Sequence, residues 1–150
     1  MRAQDLMTPS PACISANENL RKVAQLMEDH DCGCIPVVDD RDNRRVVGVI
    51  TDRDIAIRAI AQGKGPETKV TEIMTADATC CSVDDDLDAV EQVMAEKQIR
   101  RVVIVDADGY CRGIIAQADL ARAADRLPEG EHDLARVVER ISQPAESPAR

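Results

Sequence analysis

The chain contains no tryptophan, no phenylalanine and a single tyrosine, Tyr110. Its core must therefore be aliphatic, and a flat ligand would lie between Val, Ile and Leu side chains rather than stack on rings. Single-stranded nucleic acid would find no aromatic platform. Positive charge is scarce as well. Lys and Arg number 19 against 28 Asp and Glu, a formal net charge of −9, which opposes binding to a phosphate backbone. The longest apolar runs, 46–50 and 102–105, are too short to cross a bilayer. The opening residues carry no apolar run of the kind a secretion signal needs. A cytoplasmic protein with no membrane and no nucleic-acid partner is expected.

Other chemistries are missing too. There is no P-loop, no GxGxxG and no plausible Ser-His-Asp order, so an enzyme is not expected. The six cysteines (13, 32, 34, 80, 81 and 111) form no CxxC pair, and only two histidines, His30 and His132, accompany them. Structural zinc sites usually recruit two Cys pairs of C-x2–4-C type, which Cys32/Cys34 and Cys80/Cys81 do not provide, so no metal is expected and the cysteines read as small apolar residues. The alternative is a thiol sensor, because Cys13 and Cys80 occupy equivalent places in the repeat described below. Asp84-Asp85-Asp86 reads as a helix start, and the segment 40–43 lacks the glycine and distal glutamate of a calcium loop.

What is present is a repeat. Asp5-Leu6-Met7-Thr8 returns as Glu72-Ile73-Met74-Thr75, an offset of 67. Leu20, Val23 and Met27 fall on Leu87, Val90 and Met94 at the same offset, and Ile35-Pro36-Val37-Val38-Asp39 falls on Val102-Val103-Ile104-Val105-Asp106. The offset then drops to 65, with Gly48-Val49-Ile50 on Gly113-Ile114-Ile115 and Asp54 on Asp119. The two lost residues lie in a turn, where a structural repeat tolerates deletion.

Each unit reads as β-α-β-β-α. A short strand near Cys13-Ile14 or Cys80-Cys81 leads to cap-type residues, Ser15-Ala16-Asn17 or Ser82-Val83-Asp84, ahead of a helix. Two β-branched runs follow, 35–38 with 46–50 and 102–105 with 112–115, as hairpins. A closing helix begins near Asp52 or Gln117. The boundaries are repeat 1 at 1–62, a linker at 63–69, repeat 2 at 70–127, and a short amphipathic helix with a frayed tail at 128–150. One such unit alone would be marginal, because a chain of about 60 residues buries proportionally little surface. The expected fold is thus α+β, two repeats packed with pseudo-twofold symmetry.

The string Gly48-Val49-Ile50-Thr51-Asp52-Arg53-Asp54 runs a buried strand straight into a helix. Helix-start amides favour an anion, the Thr51 hydroxyl can donate to a phosphate, and a carboxylate at Asp54 can accept both hydroxyls of a ribose. The simpler reading is that Thr51 and Asp52 cap the helix and Asp54 complements its dipole. Asp52 and Asp54 would repel a phosphate, so a cation is required, from Arg53 or from Arg100-Arg101.

The duplicated order of Met-Thr, capped helix, Ile-Pro-Val-Val-Asp and Gly-x-x-Thr-x-x-Asp resembles the cystathionine β-synthase (CBS) domain, as a stand-alone tandem pair of bacterial type. The resemblance spans about 120 of the 150 residues. It implies a regulatory module, commonly dimeric, that binds adenosine-containing ligands (AMP, ADP, ATP, sometimes S-adenosylmethionine or NAD) in clefts between the repeats and signals to a protein partner. No cofactor is obligatory. It assigns Asp54 to the ribose and Thr51 to the phosphate, with Ile14, Ser15, Ile35 and Pro36 around the adenine. A weaker second site would use Asp119, Cys81, Arg100, Arg101 and Val103. There Ala116 stands where the hydroxyl should be, and Val103 replaces the proline. These departures leave a ligand-free dimeric scaffold as a further alternative.

Overall fold

The computed structural model describes residues 1–40, 45–124, 126 and 134–142. Among them, two four-stranded sheets carry the repeat, and the α+β class expected from the sequence is found. Residues 41–44, 125, 127–133 and 143–150, on which the expected frayed tail falls, lie outside the described residues.

The chain opens with α1 (Ala3–Leu6) and β1 (Thr8–Pro9), then β2 (Ile14–Ser15), α2 (Leu20–His30), β3 (Cys34–Val38) and β4 (Val46–Thr51). A short α3 (Asp52–Asp54) continues as a π turn (Ile55–Ala59) and a 3-10 turn (Ile60–Gln62). The second repeat follows as α4 (Val70–Ile73), β5 (Thr75–Ala76), β6 (Cys80–Ser82), α5 (Leu87–Lys97), β7 (Arg101–Val105), β8 (Cys111–Ala116) and α6 (Gln117–Ala124). The amphipathic helix expected near the C-terminus is α7 (Leu134–Ser142), anchored by the buried Ile141.

The backbone repeats as faithfully as the side chains. Ser10 and Asp77 take positive φ (49° and 50°), as do Asp31 and Gln98 (48° and 52°), each pair 67 residues apart. Asp31 and Gln98 end α2 and α5 as left-handed caps, with Cys32 N donating to Met27 O and Ile99 N to Met94 O. The helix starts differ from the sequence-based expectation. Asn19 and Asp86 are the caps, their side chains accepting from Lys22 N at 3.1 Å and Ala89 N at 2.9 Å. Ser15 and Ser82 instead close local turns with Asn17 N and Asp84 N. A short polar side chain two residues from its amide partner satisfies it locally and leaves capping to the next candidate.

Repeat and compact unit are not the same partition. One unit comprises Met1–Pro9, Cys80–Ile104 and the described residues from Gly113 on; the other comprises Ser10–Thr79 and Val105–Arg112. The leading segment of each repeat is exchanged. β1 joins the sheet β1-β8-β7-β6, pairing Thr8 with Ile114 and Pro9 with Gly113, while β5 joins β2-β3-β4-β5, pairing Gly48 with Ala76 and Val49 with Thr75. The equivalent glycines make room for this. A Cβ on Gly48 would stand 2.7 Å from the Thr75 carbonyl oxygen and 2.9 Å from Met74 Sδ, and one on Gly113 would stand 2.9 Å from Met7 Cβ. Each unit has its own aliphatic core, one around Val90, Met94, Ile104 and Ile115, the other around Val23, Ile35, Ile50 and Ile73.

Candidate functional site

The junction of β4 and α3 is built from reciprocal hydrogen bonds. Thr51 Oγ1 accepts from Asp54 N at 3.1 Å, and Thr51 N donates to Asp54 Oδ2 at 3.0 Å, a capping box. Asp52 N donates to Gly33 O at 3.0 Å, and Arg53 N to Asp52 Oδ1 at 2.8 Å. The first three helix amides are therefore engaged within the chain, which removes the free amides that the sequence offers to an anion. What remains at this junction is the Thr51 hydroxyl hydrogen, the second oxygen of Asp54 and the exposed Arg53 guanidinium.

Asp54 is held from two sides. Its side chain is 16% exposed, with Oδ2 fixed by Thr51 N and Oδ1 facing Arg58 Nε at 3.8 Å. Arg58 also donates to the Ile73 carbonyl at 3.2 Å. Arg58 belongs to no motif and is absent from the residues expected at the site, although its spacing of four from Asp54 on a helix is the signal that points to it. A carboxylate oriented in this way, and only partly used, can accept hydroxyl donors without first being ordered.

The neighbouring strands divide the remaining residues by face. In β3, Ile35 pairs with Ile50, and β2 places Ile14 opposite Val37. Ile14 and Ile35 are buried in the aliphatic core, so they face away from the polar junction and steady it through the sheet. Pro36, opposite Val49, lies on the other face of β3 and is also buried, while Ser15 is half-buried at the end of β2. Thr51, Asp54, Arg53, Ile14, Ser15, Ile35 and Pro36 all fall within one compact unit.

The equivalent place in the second repeat keeps only half of this arrangement. Ala116 N donates to Asp119 Oδ2 at 2.7 Å, but Ala116 has no hydroxyl to accept in return. The other Asp119 oxygen is taken by the Arg122 guanidinium, and the residue is 7% exposed. Gln117 N donates to Arg100 O at 2.9 Å, as Asp52 N does to Gly33 O. Cys81 belongs to the core, Val103 is buried on the opposite strand face, and Arg100 and Arg101 are exposed. Burial, the Asp85 carboxylate and neighbouring Cys80 push the Cys81 thiol up to about 11; burial alone raises Cys80.

All six cysteines are thiols rather than disulfide halves. Cys13 and Cys80, equivalent in sequence, lie in different compact units. The structure instead brings Cys13 into hydrogen-bond contact with Cys111, which lowers the Cys13 thiol against the opposing effect of burial. No local spacing in the sequence announces that contact. Among the described residues, no group of three His, Cys, Asp or Glu side chains is gathered to hold a metal. No helix among them is long and apolar enough to cross a membrane.

The family profile described as the CBS domain matches residues 3–60 and again 70–126. The chain belongs to this family, as a tandem pair. CBS domain-containing protein YhcV of Bacillus subtilis is 40% identical over 118 residues, covering 79% of this chain and 81% of its own length. The crystal structure of Hypoxic Response Protein I, which holds two coordinated zinc ions, is 33% identical with a TM-score of 0.74, across 85% of this chain and all of that one. CBSX2 in complex with AMP is 25% identical with a TM-score of 0.71, across 83% of this chain and 96% of that one.

Proposed function

We propose that this protein is a regulatory module that takes up an adenine nucleotide at the first repeat and signals its occupancy to a protein partner, without a catalytic step of its own. The observation that carries the reading is the Asp54 carboxylate, largely shielded and held by Thr51 N, with the Thr51 hydroxyl beside it at a strand–helix junction. Asp54 meets the ribose hydroxyls and Thr51 a phosphate oxygen, with Arg53 offsetting the charge of Asp52 and Asp54. Ser15 and Pro36 border the base. The AMP complex of CBSX2 supports the ligand class. The second repeat is the weaker site, since Asp119 is already neutralised by Arg122 and Ala116 offers no hydroxyl. The module acts in the cytoplasm as a homodimer, for which the exposed Ile57 (46%) and Ile60 (64%) are the apolar surface a second copy would cover.

The test is thermal unfolding, by calorimetry or an extrinsic dye, with AMP, ADP, ATP, NAD and S-adenosylmethionine each at about 1 mM. A ligand at about 100 times its Kd stabilises by roughly 2.7 kcal/mol, a rise of several degrees. Asp54→Ala is expected to abolish the rise once its own lower midpoint, from the lost capping bond, is taken as its baseline. A cooperative transition that none of the five ligands moves would instead favour the ligand-free scaffold.

A further inference from the structure

Cys13 and Cys111 are 98 residues apart in sequence, yet both belong to the compact unit that contains the first repeat. Cys13 stands immediately before β2, and Cys111 is the first residue of β8. Their segments are tied by the backbone, Ser10 N donating to Arg112 O at 3.1 Å. The side chains meet, the two thiols being hydrogen bonded to one another, and Cys13 Sγ also donates to the Pro11 carbonyl oxygen at 3.4 Å. Both cysteines are half-buried, so a small solute reaches them.

We propose that Cys13 and Cys111 form a redox-active dithiol, oxidised to a disulfide by hydrogen peroxide. Cys13 is the attacking sulfur, since the hydrogen bond from Cys111 favours its thiolate, while Cys80 and Cys81 are held as thiols by burial. The Cys13 thiolate attacks one peroxide oxygen, the O–O bond breaks, and the departing hydroxide takes up a proton as water. The resulting sulfenic acid is attacked by the Cys111 sulfur. An S–S bond forms, the S–O bond breaks, and hydroxide leaves with the Cys111 proton as a second water. Two thiols and one peroxide thus yield one disulfide and two waters, with two electrons passing from sulfur to oxygen.

The sequence makes the product easy to read. Tryptic cleavage places Cys13 alone in the peptide 3–21 and Cys111 alone in 102–112, whereas Cys32 and Cys34 share 23–41 and Cys80 and Cys81 share 70–97. After hydrogen peroxide treatment of the full chain and alkylation under non-reducing conditions, alkylatable thiols should fall from six to four. The peptides 3–21 and 102–112 should appear as one linked species that dithiothreitol separates. In Cys111→Ser that species should vanish and Cys13 should instead trap a sulfenic-acid reagent such as dimedone; Cys111→Ala serves if the serine disturbs the fold. Recovery of 3–21 and 102–112 unlinked, or either one linked to another cysteine peptide, overturns the proposal. The readout needs no nucleotide, so its failure is distinct from failure of the proposed ligand site.

Discussion

Position 54 and its counterpart, Asp119, carry the same carboxylate in different company. Asp54 shares one oxygen with a backbone amide and faces Arg58 at 3.8 Å, while Asp119 is closed off between Ala116 N and Arg122. Removing Arg122 should therefore change the second repeat more than any substitution of the exposed Arg100 or Arg101. Cys81 gives a pH-dependent test at the same scale. Its thiol rises from 9.0 to about 11 on folding, so between these values the folded chain holds a proton that the unfolded chain has released. Stability falls as pH rises through that window, by on the order of 2 kcal/mol, and is unaffected by Cys81 below it. Calorimetric midpoints at pH 8 and pH 10.5 should show a smaller drop in Cys81→Ala than in the parent chain. An equal drop would assign the alkaline loss to other groups.

Among the elements, the two interior glycines hold the exchanged strands close. Gly48→Ala would set a methyl group 2.7 Å from the Thr75 backbone oxygen, where no flexible side-chain end can yield. The expected cost is about 1–3 kcal/mol, read as a lower denaturation midpoint with an unchanged slope. Gly63, at φ +77° and with open space where a Cβ would stand, would respond through backbone strain instead. Much of this level is legible in the sequence. Leu20, Val23 and Leu87, Val90, Met94 announce α2 and α5 by their period, and the offset of 67 locates β3 and β7. The closing helix of the first repeat is legible only in outline. The pattern Ile55, Ala56, Ala59, Ile60 describes a regular stripe, but the π turn buries Ala59 and turns Ile60 outward at 64% exposure. The ending is harder still to read, since it depends on Gly63 as a left-handed cap, with Lys64 N donating to Ala59 O and Gly63 N to Ile60 O.

For the molecule as a whole, sequence adjacency misleads about partnership. Asp5-Leu6-Met7-Thr8 reads as the start of repeat 1 because repeat 1 follows it, yet Met7 covers Gly113 and Thr8 pairs with Ile114. Periodicity describes one segment at a time and carries no information about which sheet a two-residue strand will join; the meeting of Cys13 with Cys111 is hidden for the same reason. Deleting Met1–Pro9 should accordingly damage the second repeat. Hydrogen exchange should show protection lost along Cys111–Ala116 while the Ile35 and Ile50 amides keep theirs; unchanged protection at Ile114 would mean that β1 adds nothing to its sheet. Oxidation of Cys13 and Cys111 would act in the other direction. It closes a loop of roughly 100 residues, for which chain entropy allows a stabilisation of up to about 4.7 kcal/mol.

The crossing of the leading segments also sets an order of events during synthesis. β5 leaves the ribosome soon after β4 and finds its neighbour at once. β1 precedes its partner in β8 by roughly 100 residues, so it waits unpaired while these are made. With Thr8 and Pro9 both exposed and so short an edge, the waiting strand offers other nascent chains little to pair with.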